Sequence, residues 1–464
     1  MVATAELEVP SLALIERYGI TGPRFTSYPT ALSFDEAVGE TQFLEAIARS
    51  NDALIPAPLA LYLHIPFCRS LCYYCGCHKK VTRNLSVVQQ YLTAMHKEIA
   101  LKGELFDSDR VVNQLHFGGG TPTYLNAGQR KALIECLNKH FDLSSADERD
   151  FSIEIDPRTM TPAEMHGLAK LGFNRVSFGI QDFDPAVQKA VNREQRYSEV
   201  EALVRAARDA GFQSVSVDLI YGLPNQTTAS FAKTVEQVVA LRPDAMSVFN
   251  YAHLPDRFPA QRLISTEDLP DAATRIQIFR DSAEQLGKAG YDYIGMDHFA
   301  LPDSYLGLAK RAGKLHRCFQ GYATGAGNET VGFGVSAISH VGDGYFQVRK
   351  DLPHYLTDIE HGKLAVARGY VTDRDDRRIA SVIQALMCHA VCRKAHWEAE
   401  FKLPFDPFFA GEIKKLRPLV DDGLVIEDAK EISVTPLGVA FLRTIAGCFD
   451  RSHIPRKTQC SSNV

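Results

Sequence analysis

The sequence predicts an α/β protein: a partial parallel barrel of the (β/α)6 type, an N-terminal extension and a mainly α-helical, winged-helix-like C-terminal domain. Three observations predict it. Between about residue 58 and 300, short β-branched or aromatic runs alternate with longer segments of helical period, the pattern of repeated βα units. Polar and glycine residues gather directly after those runs, where parallel α/β sheets build their sites. The length of 464 residues, with 45% hydrophobic and 23% charged, is that of an ordinary globular chain large enough for two or three packed units.

Taken in order, residues 1–57 read as an extension that holds a helix, LALIERYG from Leu12, and the segment GPRFTSYPT. Residues 58–355 form the barrel domain. Its expected strands are Leu59 to Ile65, Asn113 to Phe117, Phe151 to Ile155, Arg175 to Phe178, Ser214 to Ile220, Met246 to Asn250 and Tyr291 to Ile294. Helices beginning near Val87, Ala127, Glu199 and Thr274 separate them, so parallel strands joined by crossovers are expected. Cysteines follow the first strand and Gly118 to Gly120 the second, while Glu154 and Asp156 end the third. Gln181 and Asp182 lie past the fourth, Asp218 is in the fifth, Asn250 and His253 close the sixth, and Asp297 and His298 follow the seventh. Residues 356–464 turn helical and end in a helix, short strands and a helix, like a winged-helix module.

The formal charge of −5 gives no reason to expect a nucleic-acid or anionic-membrane partner. The final helix, PLGVAFLRTIAGCF, carries a single Arg and is too apolar for a DNA-reading helix. Apolar runs are too short to span a bilayer, and the N-terminus lacks a basic region followed by an apolar block. A cytoplasmic protein is expected, and a monomer, since no coiled-coil pattern appears.

Four of the ten cysteines, Cys68, Cys72, Cys75 and Cys77, fall within ten residues. In a large chain without a secretion signal this points to metal or redox chemistry more than to disulfides. Cys68, Cys72 and Cys75 have the spacing CxxxCxxC. Three thiolates on one loop can hold three irons of a cubane [4Fe-4S] cluster and leave the fourth open, whereas fully ligated ferredoxin clusters take four. Structural zinc would take two separated CxxC pairs. Cys388 and Cys392 lie four apart on an expected helix with no third ligand nearby, and read as core.

The CxxxCxxC loop, with Tyr74 before its third cysteine, resembles the signature of radical S-adenosylmethionine enzymes. HIPFCRSLCYYCGC, HFGGGTPTYL, EIDPR, GFNRVSFGIQDF, VNREQ, DLIYGLPNQT, FNYAHLP, GMDHFA, HRCFQGY and GVSAIS follow in order. Together they resemble the oxygen-independent coproporphyrinogen III oxidases, from about residue 14 to the end of the chain. The resemblance implies a radical barrel whose one [4Fe-4S] cluster is held by Cys68, Cys72 and Cys75, with S-adenosyl-L-methionine on the open iron. It also implies a second S-adenosylmethionine. Tyr62, Gly119, Glu154 and Ile338 would contact one; Tyr74, Gly120, Thr121, Gln181, Arg193, Asp218 and Ala252 the other. Arg193 and Asp218 suit a zwitterion, offering a guanidinium fork and a carboxylate. Cys77 would be a wall residue beside the second cofactor, or otherwise a buried free thiol.

The implied reaction decarboxylates two propionates of coproporphyrinogen III to the vinyls of protoporphyrinogen IX, through a 5′-deoxyadenosyl radical. Arg24 and Arg317 are the candidate cations for the substrate's carboxylates, and the N-terminal segment a lid that excludes water. An electron donor such as a flavodoxin or ferredoxin is implied. A heme-binding protein on the same scaffold is the alternative, disfavoured by GFNRVSFGIQDF, Arg193 and the intact C-terminal domain.

Overall fold

Alternation along the strands separates the two faces of the sheet. In β1 (Leu59–Ile65), β2 (Val111–Gly119), β3 (Asp150–Ile155), β4 (Arg175–Gln181) and β5 (Ser214–Tyr221), apolar residues such as Leu63, Phe117, Ile153, Phe178 and Val217 are fully buried. Between them Tyr62, His116, Ser152, Ser177 and Ser216 are only partly buried, because successive side chains of a strand point to opposite faces. The structure, a computed structural model, describes residues 8, 10–19, 23–319, 321–325 and 327–452.

The chain divides into two compact units, Phe34–Asp218 with Gly327–Val371, and Met1–Ser33 with Leu219–Ala326 and Thr372–Val464. Both are assembled from separated stretches, whereas the sequence reading divides the chain into three consecutive segments.

In the first unit β1 to β4 lie in the order β4, β3, β2, β1, each parallel to its neighbour. Glu329–Phe333 adds parallel to β1, and Ile338–Val341, Gly344–Val348 and Val366–Val371 extend the sheet as an antiparallel meander. Parallel pairing of β1 with β2 needs a crossover, supplied by the helix Leu85–Gly103, whose start Asn84 caps. Within that helix Lys102 and Glu98 are an ion pair at 2.7 Å with no exposed side-chain surface. Lys102 Nζ also donates to Gly332 O, while Glu98 Oε2 accepts from Gly334 N and Tyr355 Oη. Tyr91 Oη donates to His64 O and accepts from Val335 N. The segment Gly332–Val335, which leads to Ile338, is thus pinned to the crossover helix, and Gly334 has room for no Cβ there, since one would meet Tyr91 Oη at 2.1 Å.

The second unit holds β6 (Ala245–Asn250) and a core around Trp397, Phe405, Phe409, Phe441 and the helix Arg374–His389. Three short antiparallel strands, in the order Val391–Arg393, Glu431–Val434, Val425–Glu427, join helices there in the winged-helix-like manner expected. The N-terminal stretch packs on this region: Tyr18 Oη donates to Pro418 O, Thr444 Oγ1 to Tyr18 O and Arg443 Nε to Pro23 O. The expected seventh strand is present as Asp292–Gly295 and runs parallel to β6; the correction is that it does not pair with β6 directly, since His298–Ala300 lies between them, antiparallel to both. Only Met296 and Asp297, both at positive φ, connect it to His298–Ala300, far too little chain for a crossover. Cys392 is a second correction: the helix ends where Ala390 turns left-handed, so Cys388 is helical and Cys392 lies in a strand, though both are buried in the core as expected.

Lys102→Met leaves the Glu98 carboxylate buried without its ammonium, at a cost of about 3–5 kcal/mol. The urea midpoint is expected to fall, and to recover in part when Glu98→Gln is added. An unchanged midpoint in Lys102→Met contradicts this account.

Candidate active site

The thiols stand where β1 ends. Pro66 breaks the strand, and the backbone from Cys68 onward is held by Lys80 N on Pro66 O, Thr82 N on Cys68 O and Cys75 N on Cys72 O. Thr121 Oγ1 donates to Cys68 Sγ at 3.4 Å. Cys72, 8% exposed, accepts from both Arg158 Nη2 and Arg193 Nη1 at 3.5 Å. Lys79 Nζ donates to Cys75 O. A hydrogen bond from Cys77, joined by the Lys79 ammonium, outweighs burial and lowers the Cys75 thiol to about 6. Burial pushes the Cys68 thiol up to about 11 despite Thr121. Cys77 itself is exposed, against the alternative of a buried free thiol. Among the described residues no three His, Cys, Asp or Glu are gathered to hold a single metal ion.

Arg193 is 6% exposed and shares Asp156 with Arg158: Arg193 Nη1 is 3.1 Å and Arg158 Nη2 2.7 Å from Asp156 Oδ2. Burial alone would raise the Asp156 carboxyl, but Arg193 and Arg158 hold it below the usual range. Arg193 also donates to Gly179 O, and a Cβ on Gly179 would meet Gln181 Nε2 at 2.9 Å and Arg193 Nη2 at 3.1 Å. Arg193 and Gln181 therefore converge over a glycine, with buried Arg193 Nε and Gln181 Oε1 lacking a partner among the described residues. Tyr74 is raised by burial and lies within the field of Arg193. Asp218 accepts from Ser177 Oγ at 3.0 Å.

Register builds the neighbouring wall. Tyr62 of β1 is opposite His116 of β2, which is opposite Ser152 of β3. The Tyr62 and His116 rings stack at 5.8 Å, and His116 reaches Ser152 Oγ at 2.7 Å and Glu154 Oε1 at 3.2 Å. Glu154 Oε2 accepts from Gly119 N, whose φ of +117° only glycine adopts readily. Burial lowers His64 to about 4, so it is neutral at pH 7. Its Nε2 donates to His78 O, which leaves Nδ1 to accept from Tyr62 Oη at 3.0 Å. Ile338 opens the strand that follows the pinned Gly332–Val335 segment.

Tyr62, Tyr74, Gly119, Gly120, Thr121, Glu154, Gln181, Arg193, Asp218 and Ile338 all belong to the first unit with the thiols. Ala252 belongs to the second, just past β6, its carbonyl accepting from Gln261 Nε2. Arg24 and Arg317 are there too: Arg24 Nη2 pairs with Asp297 Oδ2 at 3.0 Å, and Arg317 Nε donates to Arg24 O. Sequence reasoning missed His64, His116, Ser152 and Arg158. Period-two alternation is the signal that places His116 and Ser152 on the face of Tyr62 and Glu154.

Residues 62–238 match the Radical SAM superfamily. The oxygen-independent coproporphyrinogen III oxidase of Pseudomonas aeruginosa is 48% identical over 438 residues, 94% of this chain and 95% of that one. The enzyme of the same name from Escherichia coli K12 is 47% identical over 95% of this chain and 94% of its own. The chain belongs to the oxygen-independent coproporphyrinogen III oxidase family. A solved structure of coproporphyrinogen III oxidase from Escherichia coli, described as a radical SAM enzyme, matches with a TM-score of 0.91 at 45% identity, covering 96% of this chain and 99% of that one. The α/β fold class is that of this family.

Membership of the radical SAM superfamily implies a [4Fe-4S] cluster and S-adenosylmethionine, and the donors fit. A cluster that gives each thiolate its own iron needs soft donors on one loop, spread wider than around one ion, with cations to offset their charge. Cys68, Cys72 and Cys75 with Arg158, Arg193 and Lys79 supply that. Gly120 leaves the room: its N donates to Ile65 O, and a Cβ would meet Pro66 O at 2.6 Å and Cys68 Sγ at 3.1 Å. Gly120→Ala is expected to displace the thiol loop and load iron and sulfide well below the parent chain on anaerobic reconstitution. A variant that loads fully contradicts this.

Proposed function

We infer that the protein carries out the oxygen-independent oxidative decarboxylation of coproporphyrinogen III to protoporphyrinogen IX, converting two propionates to vinyls. One observation carries the reading: 48% identity to a protein of that name across 94% of the chain, with the thiol loop inside the matched region. When bound, the cluster and S-adenosylmethionine supply the 5′-deoxyadenosyl radical that takes hydrogen from the substrate.

Cys68, Cys72 and Cys75 are the proposed cluster ligands, and the fourth iron is left for the amino and carboxylate groups of S-adenosylmethionine. Two S-adenosylmethionines are proposed. Tyr62, Gly119, Glu154 and Ile338 line the first; Glu154 is oriented by His116 and the Gly119 amide, with its acceptor oxygens suited to an ammonium or ribose hydroxyls. Tyr74, Gly120, Thr121, Gln181, Arg193, Asp218 and Ala252 line the second, with Cys77 at its edge. Arg193 is already shared between Asp156 and Cys72, so its Nε, without a partner among the described residues, is what remains for a cofactor carboxylate, while Gln181 Oε1 can accept from an ammonium or hydroxyl. Arg24 and Arg317 are proposed to receive substrate carboxylates. No helix among the described residues is long and apolar enough to cross a membrane. The nine described cysteines are free, which suits a reducing, cytoplasmic compartment. The proposed assembly is a monomer that takes electrons from a flavodoxin or ferredoxin.

Anaerobic protein incubated with coproporphyrinogen III, S-adenosylmethionine and a reductant is expected to yield protoporphyrinogen IX and 5′-deoxyadenosine. Tight heme binding without product would overturn the reading. Reconstituted protein is expected to hold about four irons per chain, and replacing Cys68, Cys72 or Cys75 by Ser to abolish the cluster. A cluster that survives each replacement sinks the ligand assignment.

A further inference from the structure

Around Tyr221 and Arg317 the second unit sets several guanidinium groups close to Asp297. Tyr221, buried at the end of β5, feels Asp297, Arg24, Arg275 and Arg443. Arg317, in the short strand His316–Cys318, is 3% exposed, and Gln384 brackets its backbone from both sides. The Arg317 guanidinium lies 4.9 Å from the centre of the Tyr322 ring, and its Nε donates to Arg24 O. Its buried Nη1 meets no hydrogen-bond partner among the described residues, and neither does buried Arg24 Nε. An N–H of a charged group left unpaired in the interior is costly, so such a pair of vacancies marks where an anion from outside the chain would be stabilised.

The neighbours do not supply that anion. Burial, with Arg317 close by, lowers His298 to about 4, and its Nδ1 donates to Met296 O, so the ring is neutral. Burial keeps Tyr293 and Tyr322 as phenols. Asp297 is the carboxylate present, and it already holds Arg24 at 3.0 Å. It stands in the two-residue turn at φ +72°, a conformation Asp tolerates better than most residues. Arginine forks match carboxylates two bonds at a time, and coproporphyrinogen III carries four propionates.

We propose that Arg317 and Arg24 form a carboxylate subsite in which Asp297 occupies Arg24 until a substrate propionate displaces it. The proposal rests on the functional reading above and adds to it an internal competitor for the substrate. Arg317 is the standing anchor; Arg24 is the arm released from Asp297.

The test titrates coproporphyrin III, the stable oxidised tetracarboxylate, and its tetramethyl ester into the full chain, following porphyrin absorbance. Arg317→Met is expected to weaken coproporphyrin binding roughly tenfold or more and to leave the ester unaffected. Asp297→Asn keeps the side-chain shape, frees Arg24, and is expected to tighten coproporphyrin binding severalfold, again without effect on the ester. Arg317→Lys, which keeps the charge, serves if the Met variant does not fold, and is expected to bind between the two. Parent-like affinity in both Arg317 variants, or weaker binding in Asp297→Asn, overturns the subsite. Parent protein that converts coproporphyrinogen III while the variants behave that way loses only the subsite. Parent protein that binds coproporphyrin as described but makes no product loses the functional reading instead.

Discussion

Three thiols within eight residues of one loop stand beside cations, and much of the first unit is arranged around them. Thiolates are poorly tolerated in a low-dielectric interior unless positive charge stands near. Here Arg158 and Arg193 both reach Cys72, and Lys79 reaches the turn at Cys75. Those arginines are themselves buried enough to need a counterion, and Asp156 provides it from the end of β3. The loop after β1, the loop after β3 and the segment beyond β4 are thereby tied through one carboxylate. A parallel sheet is the economical way to deliver them, because every strand ends at the same edge.

The same edge explains the glycines. Gly119 and Gly120 sit at the end of β2, where the backbone passes so close to His64, Pro66 and Cys68 that no Cβ fits. Gly179 serves Arg193 and Gln181 in the same manner. The second unit meets a different demand around buried Tyr221 and Arg317, where Arg24 is held by Asp297 on a two-residue turn at positive φ.

Much of this was legible before the structure. The strand Leu59–Ile65 reads to the residue because an apolar run is bounded by Pro58 and Pro66, and CxxxCxxC names three donors by spacing alone. Two helices begin two residues before the expected starts near Val87 and Thr274, at Leu85 and Ala272, each directly after its cap, Asn84 or Asp271. His116 and Ser152 escaped because their pairing lies in the register between strands, and Arg158 because its contacts with Asp156 and Cys72 appear only once the loops are folded together. The Asp292–Ala300 hairpin escaped because Met296 is not a turn residue, and the break before Cys392 because Ala390 is not a usual left-handed stop. Arg24 and Arg317 were suggested by resemblance, but their unequal roles appear only once Asp297 is seen beside one of them.

The central claim is that this loop holds a cluster by three protein thiolates and leaves one iron to the cofactor. Mössbauer spectroscopy of the reconstituted protein, with and without S-adenosylmethionine, tests it most directly. The account predicts one iron distinct from the other three, its signal shifting when S-adenosylmethionine is added. Four equivalent irons, unmoved by S-adenosylmethionine, would contradict it.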